Sequence, residues 1–383
     1  MKEVIKPIHI MHIITRLDAG GAAENVLYSS IGSLKKGDKV TLISGYTENP
    51  AEELINKARE TGIKIEFVNS LVREISPSKD INAFLKCIKL VLQYKPDIVH
   101  THSSKGGIIG RWAAKFAGTK RIIHTPHGHI FYGYYSSTKT KIFIEIEKAT
   151  SIITEKIITL TDQEAMDHLD LGIGKPGQFT TVHSGVEINE YKLPEEKIQK
   201  LKEDMNIPTG TFVIGSAGRL AEVKGHKHLL AALAETEVQD IHLLLAGEGE
   251  LKNNLVELSK KLDISDKVTF LGWQNLPEWL PVCDVFVLPS LNEGMGRVLI
   301  ESLAMGIPII ASAVGGVPEV LGDGSYGTLV PPASPYHLKK ALEEIAYSEN
   351  LRIKFIKRGP KRSLDFNIAK MVDKLHNIYH NLS

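Results

Sequence analysis

Two glutamates in the second half of the chain lie eight residues apart, a spacing suited to holding a sugar. The string LPSLNEGMGRVLIESLAMGIPIIAS places Glu293 at the end of a predicted strand, then Gly294, Met295 and Gly296, then a helix carrying Glu301. If that helix begins near Gly296, its exposed amides share one rim with Glu293, and Glu301 falls in the second turn. Carboxylates beside a helix N-terminus stay ionised and accept hydrogen bonds from sugar hydroxyls. Helix capping by Glu293 and a solvent-facing Glu301 are the alternatives.

Two cations lie on one loop of the same half. Arg219 and Lys224 belong to the string GSAGRLAEVKGHKHL, directly after a predicted strand. The carboxyl ends of parallel strands are where open α/β sheets bind ligands. An arginine fork and a lysine point charge can straddle a diphosphate, and Gly225 removes side-chain bulk beside them. A surface loop with two exposed cations is the alternative.

A pair of adjacent glycines follows the first predicted strand. Gly20 and Gly21 stand in TRLDAGGAAEN, where they open a helix. Adjacent glycines let the backbone approach a ligand closely, and the first amides of a helix favour an anion. The spacing is not GxGxxG, which weakens a dinucleotide interpretation and leaves a plain tight turn as the alternative.

Histidines cluster after two consecutive predicted strands of the first half. His100 and His102 follow one strand, and His124, His127 and His129 follow the next. Imidazole is a frequent zinc ligand, so the cluster is compatible with a metal-dependent hydrolase. That function stays open as an alternative at this point.

The elements that position these residues are short strands that alternate with helices along the whole chain. Such alternation predicts parallel sheets with helices on both faces, and two series of it predict two doubly wound α/β domains. The predicted strands of the first half are Ile8–Ile14, Lys39–Ser44, Ile63–Val68, Asp97–His100, Arg121–His124, Lys156–Leu160 and Phe179–His183. Those of the second half are Thr211–Ser216, His242–Ala246, Lys267–Leu271, Asp284–Pro289, Pro308–Ser312 and Gly327–Val330.

The domain boundary is predicted in the charged, proline-bounded stretch near residues 186–208, which is poor in strand signals. We place it between residues 190 and 191, which gives domains 1–190 and 191–383. Near the end of the chain, apolar residues from Leu364 to Leu382 recur at three-to-four spacing and predict one packing helix.

Composition places the chain among ordinary globular proteins. Of its 383 residues, 43% are hydrophobic and 24% are charged. The 46 Lys and Arg residues balance 45 Asp and Glu, which argues against a dedicated nucleic-acid binder. Cys87 and Cys283 form no metal or redox spacing, and no apolar run approaches the roughly 20 residues of a membrane span. We therefore expect a cytoplasmic protein.

One stretch of the first half carries basic residues but no acidic ones. Ile98–Ile144 contains no Asp or Glu but carries Lys105, Arg111, Lys115, Lys120, Arg121, Lys139 and Lys141. The aromatic residues Phe131, Tyr132, Tyr134 and Tyr135 precede the last two lysines. Rings next to cations suit a membrane interface, so we expect this domain to dock on anionic lipid. Ordinary solvated cations, and aromatics packed between domains, are the alternatives.

Together these strings resemble the family-four glycosyltransferases of the GT-B fold. The resemblance rests on GRLAEVKG, EGMGRVLIE and VGGVPEVL, with HSGVE at the domain junction and GTLVPPASP near residue 330. It spans almost the whole chain. It implies two Rossmann-like domains that face a cleft, with the donor mostly in the second domain and the last helix packing on the first. It also implies a retaining, nucleotide-sugar-dependent enzyme.

The resemblance implies roles for the matching residues of the second domain. Arg219 and Lys224 would neutralise the donor diphosphate as it leaves. Glu293 and the amides of Gly294–Gly296 would hold the donor sugar, and Glu301 would bind the ribose hydroxyls.

The resemblance also implies roles in the first domain. His127, in HTPHGH, would face the sugar, and Gly20 with Gly21 would lie against the phosphate and acceptor side. Two positions depart from the family pattern: Val223 stands where a glutamate is usual, and Ser184 where an asparagine is usual. Neither departure removes a charge-bearing ligand.

The implied chemistry accounts for this set of residues. Breaking an anomeric C–O bond places negative charge on the diphosphate, and fixed cations and helix amides stabilise that transition state more than the ground state. No two aspartates are separated by one residue, so the Asp-x-Asp metal motif of the other common glycosyltransferase fold is not in the sequence. We expect neither metal nor cofactor.

The expected reaction moves a hexose-type sugar from a nucleoside diphosphate, UDP, to a glycan or lipid-linked glycan acceptor. The resemblance implies surface polysaccharide assembly, at the inner face of the membrane. A non-catalytic sugar-binding module is a further interpretation.

Overall fold

The computed structural model describes residues 6–128, 137–188 and 194–382. The boundary predicted between residues 190 and 191 lies outside the described residues. So do His129 and the predicted aromatic loop of Phe131, Tyr132, Tyr134 and Tyr135. Contacts divide the chain into one unit of residues 1–185 with 368–383, and a second unit of residues 186–367.

The first unit is built on a parallel sheet in which the described residues form seven strands. They are β1 His9–Arg16, β2 Lys39–Gly45, β3 Lys64–Phe67, β4 Ile98–His102, β5 Arg121–Thr125, β6 Lys156–Thr159 and β7 Phe179–Thr181. Their order is β3-β2-β1-β4-β5-β6-β7. The order reverses between β1 and β4, which is the switch point where doubly wound sheets bind ligands.

Helices cover both faces of this sheet. They are α1 Gly21–Lys35, α2 Glu52–Glu60, α3 Pro77–Tyr94, α4 Ser104–Phe116, α5 Ser137–Ser151 and α6 Asp162–Asp170. Successive residues of β1 serve opposite faces: Ile13 shares a core with Leu90 of α3, and Ile14 shares another with Val26 of α1. A strand buried on both faces is a nearly continuous apolar run, which is why the strands were visible in the sequence.

The second unit repeats the plan with a parallel sheet of six strands among the described residues. They are β8 Phe212–Ala217, β9 Ile241–Ala246, β10 Val268–Gly272, β11 Val285–Leu288, β12 Ile309–Ser312 and β13 Thr328–Val330. Its helices are α7 Glu195–Asp204, α8 His226–Glu235, α9 Lys252–Lys261, α10 Arg297–Met305, α11 Val317–Val320, α12 Pro335–Tyr347 and α13 Glu349–Ser363. The strand order β10-β9-β8-β11-β12-β13 places the switch point between β8 and β11. Two doubly wound parallel sheets confirm the predicted fold class.

The last helix, α14 Ile368–His380, belongs to the first unit. Met371, Leu375 and Tyr379 are buried there in one core with Ile10 of β1 and Ile98 of β4. Burial of this apolar stripe is what holds the end of the chain on the first sheet.

Some element ends differ from the prediction. The apolar stripe begins later than expected, because Leu364 lies exposed in a separate short turn that ends at Asn367, whose backbone is extended. Strand β1 continues to Arg16, beyond the predicted end at Ile14. The alternating apolar pattern does not mark such ends, since the last residues of a strand are fixed by backbone pairing with its neighbours.

Candidate functional site

The loops after β8 and β11 meet at the switch point of the second sheet. These two strands are neighbours, and the Leu291 amide donates to the Val223 carbonyl at 2.8 Å, which joins the two loops. Lys224 and Glu293, which are 69 residues apart in sequence, form an ion pair across the same junction. The sheet order therefore brings together two of the predicted site residues.

The carboxylate of Glu293 is held from two sides. Its Oε1 accepts hydrogen bonds from Lys224 Nζ and from Ser290 Oγ, the latter at 2.8 Å. The Glu293 side chain is 9% exposed and that of Lys224 is 24% exposed. Opposite charges attract strongly where water screens them poorly, so the pair orients both side chains. Ser290 is a site residue that the sequence analysis missed.

Two glycines allow the backbone to close around this pair. Gly315 has a φ of +50°, and a Cβ there would lie 1.8 Å from the carbonyl oxygen of Glu293. Gly225 has a φ of +65°, and its Cβ would lie 2.1 Å from the carbonyl oxygen of Pro289. Only glycine combines this conformation with so close an approach. The backbone of the VGGVPEVL string, at Gly315, therefore packs directly against the backbone of Glu293.

Helix α10 begins on the loop that carries Glu293. Its N-cap is Gly296, with a φ of 70°, and its first residue is Arg297. The amides of a helix's first turn lack intrahelical partners and carry partial positive charge. Met295 is buried beneath the turn, and Glu301 lies partly buried in the second turn. The rim therefore combines a lysine, a carboxylate and a helix N-terminus.

Arg219 has a different partner from Lys224. Its guanidinium pairs with the Glu250 carboxylate at 3.1 Å, and both side chains are more than half exposed. Glu250 lies on the loop after β9. That loop packs closely against the loop after β8, since a Cβ on Gly247 would lie 1.9 Å from the Gly218 carbonyl oxygen. Exposed ion pairs contribute little free energy, so Arg219 can exchange this carboxylate for a phosphate at small cost. The alternating glycines of AGEGE are the signal by which sequence analysis could have found this loop.

Gly20 and Gly21 lie at the switch point of the first sheet, after β1. Gly20 is the N-cap of α1, with a φ of 151°, and Gly21 is the first helical residue. No heavy atom lies within 4 Å of a Cβ built on Gly20. Backbone conformation, rather than crowding by neighbouring atoms, therefore favours glycine there.

Hydrogen bonds link three histidine side chains of the first unit in a row. His12 Nδ1 lies 2.9 Å from His102 Nε2, and His102 Nδ1 lies 2.9 Å from His127 Nε2. His127 has a φ of 61°, a left-handed conformation that is costly for a residue with a side chain. Burial lowers the pKa of His12 to about 3 and holds that of His102 well below its usual value. The two buried rings are therefore neutral, and they anchor His127.

The histidines that the sequence singled out have different hydrogen-bond partners in the structure, and His129 lies outside the described residues. His100 bonds through Nδ1 to Tyr379 Oη at 2.7 Å, and His124 bonds through Nδ1 to Thr101 Oγ1 at 3.0 Å. Ring nitrogens of the predicted His100 and His102 lie, together with that of His12, within 4.8 Å of one another, close enough to share a metal ion. His12 was missed because its role depends on the parallel pairing of β1 with β4, which places it opposite His100.

A buried carboxylate supports the loop that carries His127. Glu164 Oε1 accepts from the Gly128 amide at 2.8 Å, and Oε2 accepts from the Leu160 amide at 2.7 Å. Burial raises the pKa of Glu164 to about 7, although both amides favour the charged form. Glu164 was also missed, since its spacing along α6 does not distinguish it from a solvent-facing residue.

Comparison with known proteins places both halves of the chain in glycosyltransferase families. A family described as Glycosyltransferase Family 4 matches residues 19–190, and one described as Glycosyl transferases group 1 matches residues 197–362. Together they span most of the chain.

Two similar proteins are named as glycosyltransferases, and one similar solved structure holds UDP and glucose. The UDP-Gal:alpha-D-GlcNAc-diphosphoundecaprenol alpha-1,3-galactosyltransferase of Escherichia coli is 28% identical, covering 84% of each chain. The putative glycosyltransferase EpsD of Bacillus subtilis is 29% identical, covering 76% of this chain and 78% of EpsD. The structure of Anabaena HepE in complex with UDP and glucose has a TM-score of 0.84 at 18% identity, covering 98% of this chain and 100% of HepE. The structural likeness establishes the GT-B fold.

Proposed function

The chain belongs to the glycosyltransferases of family 4 and group 1, and from that premise we propose that it moves a hexose-type sugar from UDP to a glycan acceptor. Membership in an enzyme family decides against the metal-dependent hydrolase and the non-catalytic sugar-binding module. The observation that carries the proposal is the Lys224–Glu293 ion pair at the switch point of the second sheet, beside the N-terminus of α10. A sugar diphosphate carries both the negative charge and the hydroxyl groups that this rim can bind.

The choice of UDP is supported by similar proteins. The Escherichia coli relative is named for UDP-Gal, and the Anabaena structure holds UDP and glucose. Both proteins align with this chain over more than four-fifths of their length. A UDP-hexose is therefore the donor that we propose.

We assign the donor-binding roles as follows. Lys224 and Arg219 receive the diphosphate, whose negative charge grows as the C–O bond breaks. The Glu293 carboxylate orients Lys224 and, with the amides of Gly294 to Gly296, binds the sugar hydroxyls. Because these groups are already in place before the reaction, they favour the transition state without reorganisation. Glu301 binds the ribose hydroxyls.

In the first unit, we assign His127 to the donor sugar and Gly20 with Gly21 to the phosphate and acceptor side. The anchoring of His127 by His102, at 2.9 Å, supports this role because a fixed ring contacts a sugar with little loss of entropy. Retention of the anomeric configuration is part of the proposal. The anomeric coupling constant of the isolated product, measured by NMR, tests it.

We propose that no metal or cofactor takes part in the transfer. Lys224, Arg219 and the helix amides supply the positive charge that a divalent cation supplies in Asp-x-Asp enzymes. Transfer rates that are equal with and without EDTA are expected. A rate abolished by EDTA and restored by Mg²⁺ or Mn²⁺ would contradict this assignment.

We propose a lipid-linked glycan as the acceptor, within polysaccharide assembly. The name of the Escherichia coli relative specifies a diphosphoundecaprenol-linked GlcNAc acceptor. Among the described residues, no helix is both long enough and apolar enough to cross a bilayer. We propose that the protein reaches this acceptor from the membrane surface.

The surface that we propose for anionic lipid is on α3 and α4. Ile81, Leu85 and Leu92 form an exposed apolar stripe on α3, and Phe116 at the end of α4 is 70% exposed. Its ring contacts Phe84 of α3 edge-on, at 5.7 Å between centroids, so the two helices present one surface. Exposed lysines flank this surface, namely Lys79, Lys86, Lys89 and Lys115. Apolar side chains framed by lysines suit a bilayer with anionic headgroups.

The decisive experiment measures nucleotide release from a panel of UDP-, GDP- and ADP-sugars, with and without GlcNAc-diphosphoundecaprenol. We expect UDP release that rises when the acceptor is added, together with a glycosylated lipid of one added hexose by mass spectrometry. Absence of release from every UDP-hexose tested, in the presence of this and simpler glycan acceptors, would overturn the proposal.

A further inference from the structure

Outside the candidate site, one cluster brings two histidines and a buried carboxylate to a single point. His376 and His380 lie four residues apart on α14, so both project from one face of the helix. Their ring centroids are 4.3 Å apart. Facing them is Asp38, which directly precedes β2, and ligand atoms of all three residues lie within 4.8 Å of one another.

Two nitrogen-to-oxygen distances within this cluster match the separation of two ligands around a shared zinc ion. Asp38 Oδ2 lies 3.3 Å from His376 Nδ1 and 3.3 Å from His380 Nε2. Typical N–H···O hydrogen bonds are shorter, about 2.9–3.0 Å. Zinc bonded to nitrogen and oxygen at about 2.0–2.1 Å in a tetrahedron separates its ligand atoms by about 3.3 Å.

The other carboxylate oxygen is engaged by the backbone. Asp38 Oδ1 accepts from the Ile8 amide at 3.2 Å and lies 3.0 Å from His380 Nε2. This hydrogen bond restrains the plane of the carboxylate, whose two oxygens both lie near His380 and whose Oδ2 also lies near His376. Support of this kind around the first ligands raises metal affinity.

The exposure of the three side chains also suits a metal ion. The Asp38 side chain is 2% exposed, whereas those of His376 and His380 are each 12% exposed. The carboxylate is thus poorly solvated, but the imidazoles reach the surface, so an ion can enter and keep a water ligand. The neighbouring cation Lys36 is paired with Asp373 at 2.7 Å, which reduces its repulsion of a second cation.

We propose that Asp38, His376 and His380 bind one divalent transition-metal ion of the zinc class. Two imidazoles and one carboxylate favour zinc over magnesium or calcium, which prefer oxygen ligands. The ion joins α14 to the segment between α1 and β2, and so fastens the end of the chain to the first unit. Its role is structural, and it is independent of the donor site proposed above.

The test uses untagged, full-length protein stripped with chelator and then titrated with ZnSO₄. Calorimetry is expected to give one ion per chain, and the melting temperature is expected to rise with zinc by mass action. Co²⁺ is expected to produce the visible absorption of a tetrahedral site. The exposed His337 on α12 provides a matched control, so His337→Gln is expected to bind like the wild type.

Three variants identify the ligands. His376→Gln and His380→Gln are each expected to weaken zinc binding at least tenfold, and Asp38→Asn is expected to do the same while its amide oxygen still accepts from the Ile8 amide. Circular dichroism at low temperature shows whether each variant is folded. Wild-type protein that binds no zinc at 100 µM, or a folded His376→Gln/His380→Gln variant that binds it unchanged, would overturn the proposal. If the double variant binds zinc unchanged, the ligands would instead be the buried His12, His100 and His102.

Discussion

Lys224 and Glu293 form an ion pair across two loops that follow neighbouring strands at the switch point of the second sheet. The pair places a cation beside the N-terminus of α10 and leaves its carboxylate nearly buried. Each partner therefore depends on the other for its orientation, and this dependence can be measured.

Removal of either partner is expected to impair transfer strongly. Lys224→Ala and Glu293→Ala should each reduce kcat/KM by about tenfold to a thousandfold, since a charge aimed at the transition state is lost. The double variant should lose little more than the worse single variant, because both changes disrupt one unit. Steady-state kinetics with a UDP-hexose check this.

The matched control is Lys227→Ala, which removes a neighbouring lysine whose pairing with Glu222 is exposed. It should change kcat/KM less than threefold. Near-normal turnover in both Lys224→Ala and Glu293→Ala would refute the site assignment.

A single methyl group behind Glu293 should disable the site. Gly315→Ala places a Cβ where the Glu293 carbonyl oxygen lies, so the loop must move. We expect at least a tenfold loss of kcat/KM. Gly324→Ala is the control, because that glycine also has a positive φ of 92° but its Cβ would have no neighbour nearer than 3.7 Å. Both variants incur backbone strain of about 1–2 kcal/mol, so equal activities would contradict the proposed crowding.

The neutral histidines of the first unit predict sensitivity to acid. Burial lowers the pKa values of His12, His100, His102 and His124, so the folded protein leaves them unprotonated where the unfolded chain, with pKa about 6.5, binds protons. The free energy of unfolding should therefore fall as pH drops below about 6.5. Each such group contributes a slope of about 1.4 kcal/mol per pH unit.

His102→Gln tests this slope. Urea unfolding between pH 7.5 and 5 should show a shallower loss of stability than in the wild type, because one titrating group is gone. The exposed His337→Gln should keep the wild-type slope. If the two variants respond to acid identically, the buried chain of imidazoles is not neutral in the folded protein.

The raised pKa of Glu164 predicts that this residue stabilises the folded protein more at low pH than at high pH. Burial raises its pKa from 4.5 to about 7, so the folded protein binds more protons than the unfolded chain between these values. Its contribution to the free energy of unfolding is therefore present near pH 4.5 and is lost as pH rises to about 7, by roughly 3 kcal/mol. Glu164→Gln removes this dependence, so it should destabilise the protein less at pH 8 than at pH 5. Equal destabilisation at both pH values, in urea titrations, would contradict the raised pKa.

Membrane docking is expected to depend on α3 and α4. Leu85→Glu with Phe116→Glu should reduce cosedimentation with vesicles containing anionic phosphatidylglycerol by at least fivefold at low salt, because both apolar contact and charge attraction weaken. Ile353→Glu, on the surface of the second unit, is the control and should bind normally. Wild-type protein that fails to bind such vesicles would exclude this surface as a lipid contact.

Much of the fold and part of the site were accessible from the sequence, because their signals are local. Strands buried on both faces appear as short apolar runs, as in Ile8–Ile14, and helices follow from periodicity. The Arg219–Lys224 loop and the glycines after Glu293 were identifiable because charge and glycine content mark loops at strand ends.

Only the tertiary structure decided which of these groups meet. Lys224 pairs with Glu293, and Arg219 with Glu250, because strand order places β8 between β9 and β11. His12 reaches His102, and Glu164 reaches Gly128, through contacts between segments far apart in the chain. Sequence spacing constrains only neighbours along the backbone, whereas these pairs depend on sheet order, burial and side-chain direction, which arise when the chain folds.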